Sequence, residues 1–172
     1  QKALHLMNIQ LTNVISDITG QTGMHIIRAI VAGEHDPVKL AQYRDPRCRS
    51  SEAEIAKALS GHYRDEHLFA LKQALELYDF YHQQIQACDT EIEQKYAAIK
   101  PVFDDEPPSS PPTKKKRRSK NEPDFDLHRY LFQITGVDLT RIDGLDVLTV
   151  QQIITETGTD MSSWPTVKHF AS

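Results

Sequence analysis

Cysteine is nearly absent. Cys48 and Cys88 are the only two in 172 residues. Two thiols do not make the disulfide framework of a small secreted domain, so a reduced intracellular protein is expected. Glycine is scarce at 7 residues and aromatics make up 8%. That disfavours a loop-rich β fold. No apolar run approaches the ~20 residues a membrane helix needs. The opening Gln1-Lys2-Ala3-Leu4-His5 lacks the basic-then-apolar order of a signal peptide. An excess of positive charge is missing too: the formal net charge is -4. Any nucleic-acid contact must therefore come from a local patch rather than from the whole chain.

What is present is a folded composition, 39% hydrophobic and 26% charged, with length for one ordinary domain or two small ones. The chain has no initiating Met. Apolar residues run at helical spacing from the first turn, and Thr166 to Ser172 reads as a helix just begun. We therefore expect an internal fragment of a longer protein.

Leu4, Met7, Leu11, Val14 and Ile18 step by three and four, which predicts an amphipathic helix over about residues 2–18. A second helix carries Met24, Ile27, Ile30 and Val31 and stops at Gly33; Asp36-Pro37 starts a third. Arg44 to Arg49 form a basic loop around Asp45-Pro46. Ser51-Glu52-Ala53-Glu54 is a capping box, and its helix stops at Gly61.

From Asp65 to Ile99 there is neither Gly nor Pro. Leu68, Leu71, Leu75, Tyr78, His82, Ile85, Asp89, Ile92, Tyr96 and Ile99 alternate in steps of three and four, a heptad seam interrupted by His82 and Asp89. Such a helix is roughly 50 Å long. Its stripe needs a cover, either a second copy of the chain or an intramolecular antiparallel hairpin. His82 and Asp89, seven apart on the seam, would set register; a metal site needs more ligands than these.

Pro101 ends the long helix. Residues 101–123 combine Asp104-Asp105-Glu106, the run Pro107-Pro108-Ser109-Ser110-Pro111-Pro112 and the basic stretch Lys114 to Lys120, a composition that cannot build a core and predicts a disordered linker. The three adjacent carboxylates read as solvated charge, because neighbours in an unstructured stretch do not converge on one metal. Lys114, Lys115, Lys116, Arg117, Arg118 and Lys120 put six positive charges into seven residues. That suits phosphate contacts through counterion release, and it also matches a nuclear-localisation pattern or a merely soluble linker. The eight histidines do not pair with the two cysteines at zinc-ligand spacing.

Beyond the linker, Leu127, Tyr130, Leu131 and Ile134 make one helical face, stopped by Gly136. Val137 to Ile154 then has the shape of a helix-hairpin-helix. There a glycine allows a sharp turn, and the free N–H groups of the second helix hold a phosphate without reading sequence. Gly144 and Leu145 fit this pattern. Asp146 replaces the second glycine and Val150 the usual small residue, and Gly144 as a plain turn between packed helices is the competing reading.

Several strings resemble one family. Thr135-Gly136-Val137-Asp138-Leu139-Thr140-Arg141-Ile142-Asp143-Gly144-Leu145, followed by Glu156-Thr157-Gly158-Thr159-Asp160 and Phe170-Ala171-Ser172, looks like the opening of the C-terminal domain of DEDD-type, Piv-invertase-like insertion-sequence transposases. Leu11 to Gly20, Arg44-Asp45-Pro46-Arg47-Cys48 and Ala74 to Tyr81 resemble the middle of the same proteins, in the same order. The likeness spans nearly the whole chain apart from the linker. It implies a parent with an N-terminal resolvase-like domain whose Asp and Glu side chains bind a divalent metal such as Mg. A coiled-coil region and a C-terminal domain with a nucleophilic serine would follow. In some members a structured RNA guides the enzyme. The metal-binding domain would precede Gln1 and the serine would lie beyond Ser172, so the resemblance implies no catalytic or metal-binding residue and no cofactor within this chain.

The expected molecule is all-α. A helical and coiled-coil region spans 1–100, a disordered linker 101–123 and a small helix-hairpin-helix-like domain 124–172. Lys114, Lys115, Lys116, Arg117, Arg118, Lys120, Gly144, Leu145 and Thr149 are the expected nucleic-acid contacts. Leu68, Leu71, Leu75, Tyr78, His82, Ile85, Ile92 and Tyr96 are the expected dimer seam. Expected partners are DNA, a guide RNA and a second copy, with no membrane, in a bacterial cytoplasm near the nucleoid. The alternative is a helical coiled-coil adaptor that binds no nucleic acid.

Overall fold

The computed structural model describes residues 1–103, 121–160, 162 and 164–171. It is all-helical, with no strand among the described residues. The helices are α1 (Lys2–Leu6), α2 (Leu11–Val14), α3 (Gln21–Val31), α4 (Pro37–Ala41), α5 (Glu52–Ala58), α6 (Asp65–Ala98), α7 (Leu127–Thr135), α8 (Val147–Thr157) and α9 (Val167–Ala171), with a one-turn 3-10 helix at Leu139–Arg141 before α8. The chain divides into two compact units, Gln1–His82 and Gln83–Ser172. The dividing line thus falls within α6 and not in the linker expected at 101–123. The reason is that the C-terminal part of α6 packs with residues that follow the linker.

In the first unit the long opening helix expected over 2–18 is broken in two. Asn8 adopts φ 58°, a left-handed conformation that Asn tolerates better than most residues. The Ile9 amide then turns back to donate to the Leu4 carbonyl at 2.9 Å. The apolar spacing survives the break because Leu4, Met7 and Leu11 all point into one core, each at most 1% exposed. Ile26 and Ile30 from α3, Leu40 from α4, Ile55 from α5 and Leu71 from α6 join that core.

Local chemistry holds the short helices. Asp36 caps α4 by accepting from the Val38 amide at 2.9 Å. Ser51 and Glu54 form the reciprocal capping box of α5. Arg44 clamps the loop after α4: its guanidinium donates to the carbonyls of Cys48, at 2.6 Å, and Ser50. The Ser50 hydroxyl donates in turn to the Val14 carbonyl at 2.7 Å.

The second unit has a smaller core of Leu127, Leu131 and Val150, with Tyr96 packed against it. Tyr96, Phe125 and Tyr130 form a ring cluster with centroids 5.9 to 6.2 Å apart. The Asp124 amide donates to Asp89 at 3.1 Å. Asp126 caps α7. Gly136 closes it in the left-handed conformation, φ 72°, where a side chain would also collide with the ring of Phe103.

Candidate nucleic-acid interface

The hairpin that follows α7 is built on two aspartates. Asp138 is buried, 8% exposed, and caps the 3-10 turn. Its Oδ1 accepts from the Thr140 amide at 3.1 Å and the Thr140 hydroxyl at 2.6 Å, and lies 2.9 Å from His128 Nε2. Burial pushes the carboxyl's pKa up. The bonds from Thr140 and His128 outweigh it and hold the group below its ordinary value. The carboxylate is thereby ionised at neutral pH, and its contact with His128 requires a proton on Nε2.

Asp146 is the second. It sits at the N-cap of α8, and its Oδ1 accepts from both the Thr149 amide and the Thr149 hydroxyl, each at 2.8 Å. Gly144 turns the chain at φ 91° with open space where a side chain would stand. Its glycine is therefore required by backbone conformation and not by a close approach.

The expected contact residues of the hairpin have the following surroundings. Thr149 has both of its donors engaged by Asp146, so a phosphate would have to displace a carboxylate to reach them. Leu145 is half-buried and packs on the second core. Gly144 alone of the three is exposed. From Leu127 to Gly158 the sequence carries Arg129 and Arg141 against Asp138, Asp143, Asp146 and Glu156, a poor field for phosphate. The Arg129 guanidinium lies 5.2 Å from the Tyr130 ring centre. The six cations of Lys114 to Lys120, the Asp104-Asp105-Glu106 run and the linker between them lie outside the described residues.

The expected dimer seam is also redistributed. Leu71 is 4% exposed and belongs to the first core, with Leu68 and Leu75 packed against it. Tyr96 belongs to the second core. These four pack within the chain, Leu71 buried and the other three partly buried. Tyr78 is half-buried beside His82, their rings 4.3 Å apart. His82, Ile85 and Ile92 remain exposed.

Sequence reasoning missed the pairing of His128 with Asp138. Ten residues separate them, a spacing that no helix or hairpin period marks. Among the described residues no three of His, Cys, Asp and Glu gather into a candidate metal site, and no helix is long and apolar enough to cross a membrane. Comparison with protein families, curated proteins and solved structures finds no match to this chain.

Proposed function

We propose that this chain is the coiled-coil region and the beginning of the C-terminal domain of a DEDD-type DNA transposase, and that it supplies backbone contacts to DNA or to a guide RNA together with self-association. The observation that carries the reading is the ordered set of family-like strings, from Leu11–Gly20 through Ala74–Tyr81 to Thr135–Leu145. The fold is in keeping with it: a 34-residue helix lies where such proteins have their coiled coil. In this reading the divalent metal belongs to the parent's N-terminal domain and the nucleophilic serine to the segment after Ser172, so the chain alone binds without cutting.

Within the chain, the backbone contact falls to Lys114 to Lys120, since Asp146 already occupies the amide and hydroxyl of Thr149. A contact of this kind is sequence-independent, and its strength comes from released counterions. If all six cations met phosphates, log K against log salt would have a slope of about -5 on duplex DNA. Fluorescence anisotropy with a labelled duplex and a labelled RNA stem-loop, over a salt series, tests this. Deleting residues 114–120 should flatten the slope and remove most of the affinity. No binding at low salt by the intact chain would instead favour a helical adaptor.

A further inference from the structure

The turn between the 3-10 helix and α8 places a carboxyl beside an unshielded amide. Of all the aspartates and asparagines in the sequence, only Asp143 is followed by glycine. Arg141 to Gly144 are all exposed. The Leu145 amide closes the turn by donating to the Ile142 carbonyl at 3.1 Å. Gly144 stands at φ 91°, with open space where a side chain would be. Among the described residues, no hydrogen bond or ion pair engages the Asp143 carboxylate or the Gly144 amide.

These are the requirements of an intramolecular reaction. The Gly144 nitrogen and Asp143 Cγ are separated by the carbonyl carbon, Cα and Cβ of Asp143, so a bond between them closes a five-membered ring. Glycine has no β-carbon to resist the rotation that brings its amide onto Cγ. At mildly acidic pH a fraction of any exposed carboxyl is protonated. Its hydroxyl then leaves as water while the amide proton passes to solvent, and the product is a succinimide. Water next opens the ring at either carbonyl. Attack at the former main-chain carbonyl carbon leaves the chain running through Cβ and Cγ, which is isoaspartate. The two steps release one water and take up one, so the mass is unchanged and no other reactant is consumed.

Asp138, five residues earlier, lacks both freedoms. Its Oδ1 accepts from the amide and hydroxyl of Thr140. The amide that follows it, that of Leu139, donates to the Val137 carbonyl at 3.1 Å.

We propose that Asp143-Gly144 is a site of spontaneous isoaspartate formation in the folded chain. The product adds one atom to the main chain inside a four-residue turn, three residues before the Asp146 cap of α8. The modification does not depend on the nucleic-acid reading.

The test ages the full chain, folded and in urea, at mildly acidic pH. An isoaspartyl carboxyl methyltransferase with labelled S-adenosylmethionine then marks the product, and trypsin releases Ile142–Lys168 as one peptide. The folded chain should accumulate label in that peptide, which should split by chromatography into two components of equal mass. Asp143→Ser should lose the label and the split while keeping the helical circular dichroism. Label in the urea-unfolded chain but not in the folded one would show that the turn protects the site, and overturns the proposal. Label that persists in Asp143→Ser, or that lies mainly in other peptides, overturns it as well.

Discussion

Gly23, in the first turn of α3, lies against the backbone of Ile18. A β-carbon added at Gly23 would stand 2.6 Å from both the carbonyl carbon and the Cα of Ile18 and closer still to the carbonyl oxygen. The loop before α3 therefore crosses the helix at a distance that only glycine permits. A glycine inside a helix ordinarily costs about 1 kcal/mol relative to alanine. Here the sign reverses, because the clash is with backbone that has no rotamer to move to. Gly23→Ala is expected to destabilise the first unit by about 2 kcal/mol or more, the usual scale of overpacking, read from urea unfolding. A neutral or stabilising result would mean that the loop yields.

Leu71 and Leu77 lie on the same helix and differ sharply in burial. Leu71 is 4% exposed within the first core, and Leu77 is 57% exposed. Leu71→Ala is expected to cost about 2–5 kcal/mol, the transfer of the lost methyl groups plus the cavity left behind. Leu77→Ala should leave the unfolding free energy of the monomer within about 0.5 kcal/mol. Urea unfolding of the two variants beside the parent chain reads the difference.

Asp138 should make the second unit acid-sensitive. Its folded-state pKa lies below the ordinary value because Thr140 and His128 bond the carboxylate more strongly than burial opposes it. A group depressed on folding stabilises above its unfolded value, about 3.9, and that contribution is lost as pH falls from there through the folded value. Asp138→Asn is expected to cost about 1–3 kcal/mol at neutral pH, by weakening the bonds its carboxylate accepts within a buried site. It should also flatten the acid limb below pH about 4. If the variant and the parent chain lose stability in parallel as pH falls, the assignment is wrong.

Tyr63 should make the first unit alkali-sensitive. Its hydroxyl donates to the Leu59 carbonyl at 2.7 Å, and its ring stacks on His35 with centroids 4.5 Å apart. Burial pushes the phenol up to about 12. The sign is opposite to that of Asp138: the contribution is complete below the unfolded value of about 10 and disappears as pH rises through about 12. Tyr63→Phe should lose about 1 kcal/mol at neutral pH with the hydrogen bond. It should then show a shallower decline between pH 10 and 12 than the parent chain, followed by tyrosine absorbance and circular dichroism together.

Much of the secondary structure was legible because it is local. A 35-residue stretch free of Gly and Pro marks α6 to within a residue or so, Ser51 and Glu54 declare the start of α5, and Gly136 declares the end of α7. The break at Asn8 was not legible. Leu4, Met7 and Leu11 have the same spacing whether one helix carries them or two short ones turn them onto the same core. The hairpin was half legible. Gly144 marks a turn, but the role of Thr149 depends on whether a ligand or Asp146 reaches its donors first, and the motif says nothing of that.

The chain's own order of residues determined that it is helical, where most helices begin and end, and that α6 carries apolar residues at steps of three and four. Those outcomes follow from propensities, caps and periodicity, which act within a few residues. Only the tertiary structure decided which stripe of α6 the chain covers for itself and which it leaves to solvent, that Gly23 has to be glycine, and that His128 meets Asp138. Apolar burial has no direction and any apolar neighbour satisfies it. The partner is therefore settled by where the other helices come to lie, and not by the pattern on α6.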